Sequence, residues 1–413
     1  MSHARGLGDP DNAATILRPT TSDDVREIVA AAISAEEPLV IEGAGSKRGL
    51  GRPVQAARTL SLAAMSGVTL YEPEELVLSA RAGTPIAEIE QLLDDNNQRL
   101  EFEPLDYGPL HGMAPGQGTL GGVVACNLAG PRRLKQGAAR DHVLGVAAVS
   151  GRGEIFKSGG RVVKNVTGYD LSKGLTGSFG TLAVMTDITV KVLPKTETET
   201  TLVLRGLSDD AAAGAMAAAM GSSAEASGAA HLPMFVAARV AGRALGKEAA
   251  TLVRLEGFGP SVEARAAYLG AALARVAPLE RLEAEASRAV WRDVRDARPF
   301  VDGTDKPVWR LSVTPTRGHE VVMSLRMQTA IDAFYDWQGG LVWMRMEDDP
   351  EADLVRETIR RFGGGHATLV RASEPVRAVT ETFQPQPGPL AGLTRRLKAQ
   401  FDPKGVLNPG RMG

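Results

Sequence analysis

Ala114-Pro115-Gly116-Gln117-Gly118-Thr119-Leu120-Gly121-Gly122, running on through Val123-Val124-Ala125-Cys126-Asn127-Leu128-Ala129 to Gly130, is the stretch on which the fold turns. A Thr-x-Gly-Gly step into a helix of small residues, closed by another glycine, leaves main-chain amides bare. A flat or phosphorylated ligand can then rest directly against backbone. Side chains larger than Ala or Ser would stand in the way. The surrounding chain keeps the same texture: residues 108–180 hold 17 of the 46 glycines, a density expected where backbone turns sharply or approaches a ligand.

Upstream, Gly43-Ala44-Gly45-Ser46-Lys47-Arg48-Gly49 follows at once on the strand-like run Leu39-Val40-Ile41. Successive small residues let N–H groups converge on an anion, as in a pyrophosphate-binding nest. A Rossmann fingerprint needs Gly-x-Gly-x-x-Gly opening a helix. Here the third glycine comes one residue late, and Leu50-Gly51-Arg52-Pro53 starts no helix. No Gly-x-x-x-x-Gly-Lys-[Ser/Thr] occurs, so a nucleoside-triphosphate loop is also unsupported. Taken alone, the segment reads equally well as an ordinary turn. Downstream, Arg161-Val162-Val163-Lys164-Asn165-Val166-Thr167-Gly168-Tyr169-Asp170-Leu171 leads to Gly177-Ser178-Phe179-Gly180-Thr181-Leu182-Ala183-Val184 and a strand ending at Pro194.

Three textures divide the chain. Thr15 to Pro194 reads as short β-branched strands, glycine loops and brief helices. Lys195 to about Arg377 alternates Ala-rich helix with strand, and Glu381 to Gly413 holds a Pro/Gly link, a short basic helix and a Pro-Gly ending. The expected boundaries are therefore 1–195, 196–380 and 381–413. Thr21-Ser22-Asp23-Asp24 ahead of Val25, Ile28 and Val29 predicts a capped amphipathic helix. The middle region predicts helices over Asp209–Ala229 (weakened by the Gly221-Ser222-Ser223 break), Val262–Val276 and Arg281–Asp296. Strands are expected at Met234–Val240, Leu252–Phe258, Val308–Val313, Leu341–Met346 and Thr368–Arg371. Trp309, Leu311 and Val313 alternate with Arg310 and Ser312, the signature of a sheet with one buried face. A layer of helices over an antiparallel sheet, hence an α+β fold, is the economical reading.

Composition removes several function classes. A net charge of -2 makes no field to gather nucleic acid or acidic membrane. One cysteine, Cys126, excludes an internal disulfide framework and any cysteine-ligated cluster within this chain. Met1 to Asn12 has no apolar core and does not read as a secretory signal. The run Ala211–Met220 is too short to span a bilayer, which needs about 20 apolar residues. A cytoplasmic protein is expected, or one held peripherally at the membrane by a partner.

The three glycine segments, in this order and spacing, resemble the FAD-binding domain of the vanillyl-alcohol oxidase/PCMH-type flavoprotein family, and within it the FAD-binding subunits of glycolate oxidase complexes. The ending Phe401-Asp402-Pro403-Lys404-Gly405-Val406-Leu407-Asn408-Pro409-Gly410-Arg411 is similar to that of many 2-hydroxy-acid-oxidising members. The likeness implies a divided FAD domain (1–195 plus the tail) and an antiparallel-sheet-plus-helices cap between. It places the FAD pyrophosphate on Gly43, Ala44, Gly45, Ser46 and Lys47. It brings Pro115, Gly118, Thr119, Gly121 and Gly122, then Cys126, Asn127, Leu128, Ala129 and Gly130, toward the flavin and ribityl chain. Gly177, Ser178, Gly180, Ala183 and Val184 would support the adenine half and the diphosphate. One departure matters: Phe179 stands where relatives often carry an acid. The likeness further implies a larger FAD-binding subunit and an iron–sulfur subunit as partners, and glycolate, a small 2-hydroxy acid, as substrate.

Oxidising such an acid needs a base for the hydroxyl proton and a cation for the carboxylate. Larger members of this family resemble one another in a paired-histidine metal site, but His3, His111, His142, His231, His319 and His366 are all scattered here, so no metal site is expected. No histidine lies between His3 and His111, which excludes flavin attachment at the first loop, and dissociable, non-covalent FAD is expected. Cys126 reads as a packing residue rather than a linker. Arg310 and Arg345, on expected strands, are the candidates for gripping a carboxylate, or else solvated sheet arginines. Lys164 is a candidate for stabilising a reduced flavin anion, or else an ion-pair partner of Asp170. Arg395-Arg396-Leu397-Lys398 reads as a solvated helix face. Two other readings stay open: a stand-alone FAD-dependent oxidoreductase of another hydroxy acid or alcohol, and a scaffold that kept the fold but lost FAD.

Overall fold

The computed structural model describes residues 15–160 and 168–413. Lys164 and the rest of 161–167 lie outside the described residues. The fold is α+β and uses three main sheets. Thr15–Leu17, Arg58–Ser61 and Leu39–Glu42 form a parallel trio with Arg58–Ser61 in the middle. The helix Ser22–Ala35 connects the first and third of these. Its capping box is in place: the Thr21 hydroxyl accepts from the Asp24 amide, and Asp24 turns back to the cap, while Val25, Val29 and Ala32 bury the inner face.

A five-stranded antiparallel sheet runs in the order Val68–Glu72, Val77–Arg81, Ala183–Lys191, Val143–Ser150, Ile155–Gly159. Its central strand Ala183–Lys191 begins where the third glycine segment ends. The second glycine segment is stitched along the chain that leaves Val77–Arg81: the Gly121 amide donates to the Ala82 carbonyl at 2.7 Å and the Leu120 amide to the Thr84 carbonyl at 2.9 Å. Thr119 then caps the short helix Leu120–Ala125.

The remaining large sheet has eight antiparallel strands: Leu279–Leu282, Thr198–Arg205, Ala250–Gly257, Gly228–Leu232, Ile331–Asp336, Leu341–Met346, Val308–Val313 and Gly365–Arg371. Its two faces bury different partners. One face packs Leu202, Leu204, Val253 and Leu255 under the helices Asp209–Met220 and Gly259–Leu273. Farther along the same face, Trp309, Leu311, Val342 and Met344 lie under Gly318–Arg326 and Ala352–Arg361. The opposite face, with Val203, Leu252, Phe334 and Trp343, joins one hydrophobic core with Phe102, Leu105 and Tyr107 from the first part of the chain. That seam also carries a buried ion network, with Arg254 on Glu103 at 2.9 Å and Arg132 on Glu256 at 2.6 Å.

Val308–Val313 and Leu341–Met346 stand where periodicity puts them. Other expectations need correction. Met234–Val240 is not a strand: Pro233 ends the strand Gly228–Leu232 and a short helix, Met234–Ala237, follows. The helix expected over Asp209–Ala229 stops at Met220, before Gly221. The residues Leu279–Leu282 form an edge strand, so the next helix starts at Ala284 rather than Arg281. Thr198–Arg205 and Ile331–Asp336 are strands the pattern had not separated from their surroundings.

Candidate functional site

Three chain segments that are far apart in sequence meet in one cleft. Gly43 to Lys47, leaving the strand Leu39–Glu42, form one wall. Thr119, Gly121, Gly122, Ala125 and Cys126 form the second, and Phe179, Gly180, Ala183 and Met185 the third. The walls are bonded to each other: the Phe179 amide donates to the Ala125 carbonyl at 2.9 Å and the Gly177 amide to the Val124 carbonyl at 3.1 Å. Glycine is obligatory at two of these positions. A Cβ on Gly43 would collide with the Thr119 hydroxyl, and one on Gly121 would lie 2.8 Å from both the carbonyl oxygen and the Cβ of Ala82.

The cleft holds two cations with unusual surroundings. Lys47 and Arg411 are each only 8% exposed. Among the described residues the Lys47 ammonium makes one hydrogen bond, to the Ser46 hydroxyl at 3.3 Å, and burial pushes its pKa down. Arg411 donates to the Lys47 carbonyl at 2.9 Å. Among the described residues neither meets a carboxylate within ion-pair distance. Glu42, the acid of the cleft, is occupied by Arg48 through two bonds of 3.0 and 2.6 Å. Bare amides, glycines that cannot be enlarged and two buried cations are the donor set a dinucleotide diphosphate requires, so the residues present fit FAD.

Not every expected contact residue reaches the cleft. Pro115 is exposed, and Gly118 lies behind Lys47. Val184 points away because strand side chains alternate: Ala183 and Met185 face the cleft, whereas Val184 enters the core. Gly177 and Ser178 support the third wall without lining it. Asn127, Leu128, Ala129 and Gly130 lead off toward the eight-stranded sheet, where the Gly130 carbonyl accepts from the Trp337 indole at 2.9 Å. Cys126 is half-buried and lines the cleft. Burial raises its thiol pKa, an effect Lys47 and Arg411 oppose. Phe179 sits in the left-handed region (φ 54°) and packs edge-on against Phe383. Ile41, Glu42, Arg48, Leu62, Ala82, Ala125, Met185 and Arg411 were not foreseen as lining residues. Arg411 alone had a signal, the Leu407-Asn408-Pro409-Gly410-Arg411 ending.

Arg310 and Arg345 share the face of the eight-stranded sheet that looks toward the first part of the chain, since their cross-strand partners Trp343 and Val308 belong to the joint core. Their surroundings differ. Arg345 is held by Asp302 at 2.8 Å and Asp332 at 2.9 Å, so its guanidinium is already spent on carboxylates. Arg310 instead lies 4.8 Å from the centre of the Trp337 ring and has no carboxylate partner among the described residues. His231 is fully buried, on Thr251 at 2.9 Å and with its ring tilted against Tyr335. Among the described residues there is no group of three or more His, Cys, Asp or Glu that could hold a metal, and no helix long and apolar enough to cross a membrane.

The FAD binding domain family matches residues 13–159. The glycolate oxidase subunit GlcE of Escherichia coli strain K12 is 36% identical over 394 residues, which cover 95% of this chain and 97% of that one. The glycolate oxidase subunit GlcD of Bacillus subtilis is 31% identical over 199 residues, covering 48% of this chain and 41% of that one. Among solved structures, p-cresol methylhydroxylase with substrate bound superposes with a TM-score of 0.73 at 14% identity, over 96% of this chain and 88% of that one, a likeness of fold.

Proposed function

We propose, from the premise that this chain belongs to the family of the glycolate oxidase subunit GlcE, that it is the FAD-binding subunit of a glycolate oxidase complex that converts glycolate to glyoxylate. It is an FAD-dependent oxidoreductase subunit. In this reading residues 1–195 with the tail 381–413 form the FAD domain, and 196–380 the cap. The single observation that carries it is the meeting of the three glycine segments, with Lys47 and Arg411, in one cleft. The site residues we assign to the cofactor are Gly43, Ala44, Gly45, Ser46 and Lys47 on the first wall, Thr119, Gly121, Gly122 and Cys126 on the second, and Gly180 and Ala183 on the third.

Bound FAD would supply the capacity to accept two electrons. The chain's own residues do the rest. Bare amides and Lys47 hold the diphosphate, and the small residues of Leu120–Ala125 let a flat ring approach backbone. Arg310, the candidate we retain, presents a cation on the cofactor-facing side of the sheet; Arg345 positions that surface through its carboxylates. Lys164 is kept as a proposal for a cation near the flavin. The histidine pattern motivates a division of labour: this subunit supports electron transfer or assembly, while a larger FAD-binding subunit supplies the base and metal and an iron–sulfur subunit carries electrons onward. The complex would be cytoplasmic, touching the inner face of the membrane only through partners.

An absorbance spectrum of the isolated chain tests this. A flavin spectrum that glycolate leaves unbleached, and that releases free FAD on denaturation, is expected. Full bleaching by glycolate with no partner present would reject the division of labour, and a colourless protein that takes up no FAD would reject the cofactor assignment.

A further inference from the structure

Several charged groups buried in this molecule come paired. Arg254 meets Glu103, and Arg132 and Arg99 both meet Glu256. Lys47 and Arg411 meet no acid among the described residues, although both are almost wholly buried. Removing an ion from water costs several kcal/mol even after relaxation. A cleft lined by two such cations is suited to an anion.

Both cations line the cleft. A Cβ on Gly122 would lie 3.3 Å from the Lys47 ammonium and one on Gly118 3.6 Å, so the ammonium hangs over the barest backbone of the second wall. Arg411 reaches the same cleft from the other end of the chain and donates to the Lys47 carbonyl at 2.9 Å. Its tail is fastened first. Asp402 accepts from the Val406 amide at 3.0 Å and the Leu407 amide at 2.8 Å. Asn408 accepts from the Ile41 amide at 2.8 Å and donates to the carbonyls of Ile41 at 3.2 Å and Phe179 at 2.8 Å. One asparagine thus ties the strand before the first glycine loop to the third wall, in a left-handed conformation (φ 43°) that asparagine tolerates. The Arg52 amide then donates to the Arg411 carbonyl at 3.1 Å, which sets the guanidinium into the cleft.

We infer that the C-terminal tail is a latch on the cofactor's diphosphate, with Arg411 as its charged tip and Lys47 as the matching cation on the glycine loop. This rests on the reading of the cleft as an FAD site. Two negative charges of the diphosphate balance the two cations, which glycine amides alone do not. By linkage, whatever the docked tail adds to cofactor affinity, bound cofactor adds to tail docking.

The test uses the full chain stripped of flavin and titrated by calorimetry with FAD, ADP and riboflavin. Arg411→Gln is expected to weaken FAD and ADP alike by about tenfold or more, the loss of one charge-assisted contact, and to leave riboflavin unaffected. Arg411→Lys should recover part of the loss, and Asn408→Ala, which frees the tail, should weaken ADP as well. Hydrogen exchange of the amides in 402–413 should slow on adding ADP to the wild type, and not to Arg411→Gln. If Arg411→Gln does not fold, the lysine and Asn408 variants carry the comparison. Unchanged ADP affinity in Arg411→Gln would overturn the latch while the flavoprotein reading stands. So would a shifted flavin potential with unchanged ADP affinity, because the cation would then serve the ring. A wild type that binds neither FAD nor ADP would sink both.

Discussion

A methyl group decides whether the second wall of the cleft can exist. In Gly121→Ala the new carbon would press on the carbonyl oxygen and Cβ of Ala82 at 2.8 Å, backbone that is itself fixed by the Gly121-to-Ala82 hydrogen bond. Overpacking of this kind costs about 1–3 kcal/mol. Gly121→Ala should therefore lower the urea midpoint and reduce the flavin that co-purifies. Gly112→Ala, where nothing lies within 4 Å, should leave flavin content unchanged and serve as the control, though its φ of 76° still strains the backbone. The two sheet arginines separate just as cleanly. Arg345→Gln strips a partner from Asp302 and Asp332 and should destabilise by about 1–3 kcal/mol. Arg310→Gln breaks no ion pair among the described residues and should shift the melting curve little, since the guanidinium lies over the Trp337 ring. A large loss of stability in Arg310→Gln would assign it to structure and remove it from the list of carboxylate-binding candidates.

Elements built on strict alternation were legible from the chain alone. Val308–Val313 is such a case, because Trp309 and Leu311 fall on one face and Arg310 on the other. Gly228–Leu232 was not, for a physical reason: it is buried on both faces, and Gly228 lies under the Trp291 ring, whose atoms would stand 3.3 Å from an added Cβ. Small residues chosen by a bulky neighbour from another element mimic a helix in local propensity. The glycine segments were readable because their requirement is local, whereas Arg411 belongs to the cleft only after 367 residues of chain bring Asn408 onto Ile41. The tail has its own test. Asp402, wholly buried as a side chain, accepts from two main-chain amides and from Lys398. Asp402→Ala leaves those amides unmet, at a cost of about 1–3 kcal/mol for each buried donor. Protease cleavage confined to the last dozen residues, with the sheets intact by circular dichroism, is the expected signature. Cooperative unfolding of the whole chain would show instead that the tail is part of the common core.

At the scale of the whole molecule, what holds the eight-stranded sheet against the first part of the chain is a shared core with a charged centre. Glu256 on the strand Ala250–Gly257 takes Arg132 at 2.6 Å and Arg99 at 3.0 Å, both from the first part of the chain, and Arg254 takes Glu103 across the same seam. Burial by itself would raise the Glu256 carboxyl, but Arg254, Arg132 and Arg99 overcome it and hold the pKa well below 4.5. Glu103 is held down in the same way by Arg132 and Arg254. A carboxylate whose folded pKa is depressed stabilises the fold above its unfolded pKa, and that contribution fades as pH falls through the folded value. Glu256→Gln leaves buried guanidiniums facing a neutral amide, which should cost about 3–5 kcal/mol at pH 7. Urea midpoints of wild type and Glu256→Gln should therefore stay parallel from pH 7 down to about 5 and draw together only below 4.5. Because the same core runs from Val25 through Trp343 to Leu407, the loss should appear as a single transition seen equally by flavin release and by tryptophan fluorescence. Two separated transitions would mean that the eight-stranded sheet and the first part of the chain unfold independently, and that the seam binds them less tightly than its buried charges imply.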